Sequence, residues 1–233
     1  MSPRPTSPSS PAERSVREEW LSGLPEDKQR AFQGVVTQIE ASYAMFSIAV
    51  NESFTLRRSG LLIRAREQVG TTASVMHRFT DQLSHLIETL VEQARQSSHW
   101  PRVAPLNPAF FRWPIVRRLA SWEGALDLVV PTRSLRFRRK LSVLLRSVNH
   151  LAGEFHHAAR EISEGSSVHP ESHWEALDAL HYDLNTCLRE TIVVLKSFLM
   201  GLSPAELDAF CSQLESNSVE KPGSGDSLSH RSA

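Results

Sequence analysis

The chain has 233 residues, its 26 Lys and Arg balance its 26 Asp and Glu, and hydrophobic residues make up 40%. The balance removes the global pull toward nucleic acid that a basic protein carries, and two Cys 24 residues apart, outside any CxxC or Cys/His spacing, exclude a disulfide scaffold and a zinc finger. No run approaches the length of an apolar membrane span, and the opening MSPRPTSPSSPAERS lacks the apolar stretch of a secretory signal, so the cytoplasm is the expected compartment.

Residues 1–10 are mostly Ser and Pro and read as a disordered tail, as does the polar stretch 216–233. Between them, 11–215 reads as a single helical domain. Ser10-Pro11-Ala12-Glu13 is a capping box and predicts a short helix near 11–22 carrying Val16 and Trp20. The same four residues recur at Ser203-Pro204-Ala205-Glu206 and predict a second short helix over 204–214.

Four long helical patterns lie between these. The first runs from Pro25 to about Arg58, with Phe32, Val36, Ile39, Tyr43, Phe46 and Val50 on one stripe and Gly60 as its stop. The second, about 61–97, carries Val69, Ala73, Met76, Leu83, Ile87 and Leu90. The third, about 132–164, carries Leu141, Leu144, Val148, Leu151, Phe155, Ala158 and Ile162. The fourth, from Pro170 to before Gly201, carries Leu177, His181, Leu184, Leu188, Leu195 and Phe198. Matched lengths with one stripe each predict an all-α four-helix bundle with almost no strand.

Residues 98–131 hold five Pro and three of the five Trp, too aromatic for a solvated linker. A short helix is predicted from Pro114 to about Val129, burying Ile115, Leu119 and Leu126. A crossover of 34 residues is long enough to climb the bundle, and the expectation is that it does, so that the third helix runs parallel to the second. The first helix carries a second apolar face, Ala44, Met45, Ile48 and Ala49, expected to be covered by the excursion or by another subunit.

Two patterns are candidates for function. Basic residues concentrate at Arg57, Arg58, Arg64 and Arg66 and again at Arg133, Arg136, Arg138, Arg139 and Lys140. Segment 102–140 holds nine bases against Glu123 and Asp127, whereas 153–215 holds eleven acids against three bases. The plainer explanation is that the basic and acidic segments answer each other within the fold. Otherwise Arg clusters of this kind bind phosphate or acidic partners, and a climbing crossover would join the two groups in one cap. The segment has no Gly-rich loop or RNA-binding aromatic motif, which disfavours nucleic acid.

The second pattern is His and carboxylate at helical spacing: His77, Asp81, His85 and Glu88; then His150, Glu154, His157 and Glu161; then Asp178 and His181. Glu154 and His157 form the Glu-x-x-His spacing of carboxylate-bridged metal sites, although the lone Glu that such sites take from each of two further helices is missing. The plainer explanation is solvated acid–His pairs at i, i+4. No catalytic constellation is legible and no cofactor is expected. The sequence therefore points to a non-enzymatic helical adaptor or regulator engaging a protein partner or a second copy. The alternative is a metal-binding bundle using His85, Glu88, Glu154, His157, Asp178 and His181.

Overall fold

The computed structural model describes residue 21 and residues 23–96, 100–128, 132–165 and 170–219. The tail at 1–10, the helix expected near 11–22 except for Leu21, and residues 220–233 lie outside the described residues. Among the described residues the chain is all-helical, without a strand. Six helices follow in order: α1 (Glu26–Arg58), α2 (Leu62–Gln96), α3 (Pro114–Asp127), α4 (Arg133–Glu164), α5 (Pro170–Gly201) and α6 (Pro204–Val219).

The helix ends follow from residues the sequence displays. Pro25, with φ fixed at −57°, precedes α1, and Glu26 and Asp27 in the first turn face the positive end of its dipole. The α1–α2 corner is made by Gly60, whose φ of +75° lies in the left-handed region, and its N–H donates to the carbonyl of Arg57 at 3.0 Å. Helix α4 stops at Gly165 in the same region, with φ +65°. Helix α6 opens on the expected capping box. The Ser203 backbone N–H and hydroxyl both donate to the Glu206 carboxylate, at 2.8 and 2.7 Å, and the helix runs on to Val219, past its expected end.

The long helices pack in a closed order, α1 on α2, α2 on α4, α4 on α5 and α5 on α1, with α3 laid against α4 from outside. All six stripe residues of α1 except half-exposed Tyr43 are buried, and the α2, α4 and α5 stripes form the core, with His181 and Ala73 at its margin. At mid-height Phe46 sits among Phe79 (5.9 Å between centroids), Phe155 (5.2 Å) and Tyr43 (6.2 Å). A second aromatic group, Trp100, Phe137, Phe198 and Phe210, lies near the other end.

Cross-helix pairs fix the directions. Arg57 pairs with Glu171, Tyr43 meets His181, and Lys28 reaches Met200 and Leu202, so α5 is antiparallel to α1. Ser84 on α2 bonds Asn149 on α4 at 3.2 Å, and Arg66 lies against Gly165, so α4 is antiparallel to α2. The expected parallel arrangement, and with it the climbing crossover, is incorrect. The excursion instead goes out and back along the α4–α5 side. Lys140 holds Ala104 near the start of α4, Asp183 on α5 holds Arg112 further along, and α3 then returns the chain to the start of α4. Trp100 and Trp113 are half-buried against the core on that flank, whereas Trp122 is exposed.

Two further expectations are corrected. Helix α3 buries Val116, Ala120 and Glu123, whereas Ile115 is 36% exposed and Leu119 and Leu126 are half-buried. The second face of α1 is not covered by the excursion: Met45 is 53% and Ile48 66% exposed, and of that face only Ala49 is buried.

Candidate functional site

The antiparallel order separates the two basic groups. Arg57, Arg58, Arg64 and Arg66 stand at the α1–α2 corner, and Arg133 to Lys140 stand at the opposite end, where α4 begins. At the corner, Arg57 lies over the Trp174 ring at 5.1 Å and pairs with Glu171, so its charge is spent within the fold. Arg58, Arg64 and Arg66 are exposed, beside exposed Leu61, Leu62 and Ile63. A small cleft of about 100 Å³ lies there, lined by Arg57, Leu62, Arg66, Glu161 and Trp174 among others.

The second basic group is mostly structural. Lys140 is 1% exposed, pairs with Glu190 at 2.9 Å and donates to the carbonyl of Ala104, joining α4, α5 and the excursion at one point. Arg138 stacks over Trp100 at 5.9 Å and is half-buried, as is Arg139. Arg133 and Arg136 are exposed. The excursion adds exposed Arg102, Arg112, Arg117 and Arg118, with Arg112 over the ring of Tyr182 at 4.8 Å. Large apolar side chains are exposed among them: Phe110, Ile115, Trp122, Leu128 and Leu135.

Under the excursion lies a polar strip that periodicity on the main stripes did not single out. Asp183 is fully buried, and its Oδ2 accepts the backbone N–H of Arg112 at 3.1 Å, while its Oδ1 has no hydrogen-bond partner. Burial pushes the Asp183 carboxyl up to about 6, against the opposing pull of the Arg112 and Trp113 N–H groups and the Arg112 charge. Burial also raises the Cys187 thiol, with Asp183 and Glu190 adding to the effect, which makes it an unreactive core residue. Glu123 of α3 is buried with its Oε2 on the Leu106 N–H at 2.7 Å. The spacing Leu180, Asp183, Cys187, Thr191 is a second stripe on α5, and an acid at one of its positions was the legible signal that something polar covers it.

The histidines serve different ends. His181 stacks on Tyr43 (5.7 Å, 14°), its Nε2 lies 3.1 Å from the Tyr43 hydroxyl, and Phe46 packs edge-on to it. Burial lowers the His181 pKa, against the opposing charge of Asp178, and pushes the Tyr43 hydroxyl up to about 12. His77 meets Asp81 at 3.4 Å as an exposed i, i+4 pair. His157 approaches His173, ring to ring at 6.4 Å.

The Ser84–Asn149 register places His85 and Glu88 roughly two turns, on the order of 10 Å, from the level of Glu154 and His157. Among the described residues no group of three or more His, Cys, Asp or Glu side chains is placed to hold a metal ion, and no helix is long and apolar enough to cross a membrane. The six residues of the metal alternative are thus not brought together.

What the arrangement offers is contact chemistry: exposed guanidinium groups beside exposed apolar side chains, at the α1–α2 corner and along the excursion. No protein-family model matches the chain, and neither a curated protein nor a solved structure shows a significant likeness to it.

Proposed function

We propose that the chain is a four-helix bundle carrying a packed excursion between its second and third long helices, and that it acts as a non-enzymatic interaction protein, an adaptor or regulator that engages a protein partner or a second copy. The observation that carries this reading is the coincidence of exposed large apolar residues with exposed arginines at two places. These are Leu61, Leu62 and Ile63 beside Arg58, Arg64 and Arg66, and Ile115 and Trp122 beside Arg118. Apolar and Arg-rich surface of this kind is typical of interfaces, where Trp and Arg supply most of the binding energy.

The test is site-specific photocrosslinking in extract of the protein's own cells, with a benzophenone side chain at Leu62, at Trp122 or at exposed Ser74 of α2 as control. Discrete adducts from Leu62 or Trp122 but not from Ser74 are expected. An adduct of twice the chain mass identifies a second copy, and any other defined protein mass a partner. Absence of adducts from both positions ends the reading.

A further inference from the structure

We propose that the shoulder of α3 is a docking groove for an acidic amphipathic helix of a protein partner. The proposal rests on the interaction reading above and adds to it a surface and a chemistry.

Helix α3 presents two apolar faces and buries the smaller. Val116, Ala120 and Glu123 lie against the body, whereas the larger residues Ile115, Leu119, Trp122 and Leu126 form a separate line at steps of four, three and four. At about 100° per residue that line is centred roughly 90° round the helix from the buried face. Exposure rises in step with this angle. Leu119 and Leu126, nearest the body, are half-buried, Ile115 is 36% exposed, and Trp122, farthest round, is 51% exposed. The line therefore runs along the shoulder where α3 meets the body. The crown of α3, directly opposite the buried face, is Arg118, Ser121 and Ala125, all exposed.

This geometry chooses the class of partner. A bilayer is a plane, and laid against α3 it meets the polar crown before the apolar line. A helix is a rod that fits along a shoulder, and steps of four and three are the spacing at which two helices exchange side chains. The charges choose its sign. Arg118 stands beside the line on the crown, Arg112 just before the helix and Arg133 just after it, and all three are exposed, whereas Arg117 is about half a turn round from the line and faces away from it. The described acid of α3, Glu123, is buried on the Leu106 N–H. Basic residues flanking an apolar seam select acids at the flanking positions of the incoming helix.

The test uses a fluorescent synthetic helix of about three heptads, Leu at a and d and Glu at e and g, titrated into the full-length chain at low salt with anisotropy as readout. Saturable micromolar binding is expected, weakened about tenfold by Trp122→Ala and by Arg118→Glu with Arg133→Glu, and unchanged by Arg58→Glu with Arg64→Glu. The same peptide with Lys at e and g is expected not to bind. The proposal is overturned by lack of saturable binding, by equal binding of the Lys peptide, or by indifference to the Trp122 and Arg118/Arg133 variants. It is also overturned if the chain sediments with phosphatidylcholine vesicles containing phosphatidylglycerol and loses this with the Arg118/Arg133 pair, which assigns the face to lipid. Loss of peptide binding with the Arg58/Arg64 pair alone rejects this groove while leaving the interaction reading in place.

Discussion

The four long helices and the excursion over 100–128 are held by different means. In α1, α2, α4 and α5 the apolar stripe of the sequence is the face that is buried, and most of the polar residues buried with it are Ser and Thr whose hydroxyls donate to the carbonyl four residues back in the same helix. In the excursion Leu106, Phe111, Val116 and Ala120 are buried, other large apolar residues stand partly outside, and side-chain-to-backbone bonds and an ion pair add to the attachment: Lys140 on Ala104 and Glu190, Glu123 on Leu106, Asp183 on Arg112. Burial of apolar area is non-directional, so periodicity suffices to read it. A buried hydrogen bond depends on two particular atoms meeting, and its partners need not share a period.

The difference is sharpest where a core side chain is cut away. Phe46→Ala empties the centre of the Phe79, Phe155 and Tyr43 cluster and is expected to cost about 3–5 kcal/mol, lowering the melting of all helices together in circular dichroism. Retention of wild-type stability would show the two regions to be less distinct than described.

Lys140→Ala leaves Glu190 without its partner and frees the Ala104 carbonyl, at an expected cost of about 2–3 kcal/mol, reduced because Glu190 is itself partly exposed. Hydrogen exchange should quicken in residues 100–113 more than in α1 or α2. Uniform quickening would mean that the excursion and the long helices unfold as one unit.

Asp183 adds a pH dependence. Its carboxyl pKa is raised on folding from 3.8 to about 6, so the folded chain binds the proton more tightly. The stability this gives is fully present below about pH 4 and lost as pH rises through 6. The change is on the order of 2 kcal/mol for a fully buried carboxyl, and Asp183→Asn should remove it. Melting of that variant and the wild type from pH 4.5 to 7.5 checks this; parallel curves reject it.

The smallest effect is expected at Met45→Glu. The sequence suggests a buried position and a large penalty, but at 53% exposure the single chain should change by less than about 0.5 kcal/mol. A fall in oligomeric mass on size-exclusion with light scattering would show that a second copy covers this face.

The long helices and most of their ends are legible because caps and stops are local chemistry: Pro25, Gly60 and the Ser203–Glu206 box each stand where the sequence places them. The direction of α4 was not legible. It is settled by tertiary bonds such as Ser84 to Asn149, and chain length permitted either route. The face of α3 was misread because Val116 and Ala120 are small enough to let two helices approach closely, an advantage that hydrophobicity does not rank. Of the candidate sites, the arginines at the α1–α2 corner are exposed as a binding role requires, except Arg57. Lys140 answers the acidic segment within the fold through Glu190, but which residues of a basic run find such partners is not visible in the run itself.

One bond described above bears on the order in which the chain assembles. Lys28, 8% exposed at the start of α1, donates to the carbonyls of Met200 and Leu202, 172 and 174 residues away, at 3.1 and 2.6 Å. With Tyr43–His181 and Arg57–Glu171 it forms one of three rungs joining the first long helix to α5. On the ribosome those rungs lack partners until most of the chain has emerged, whereas the α1–α2 and α4–α5 hairpins close over short loops. The α1–α5 seam is thus the last to shut during synthesis and the first to be strained when either end is pulled. Single-molecule pulling from residues 26 and 201 should open that seam before any hairpin gives way.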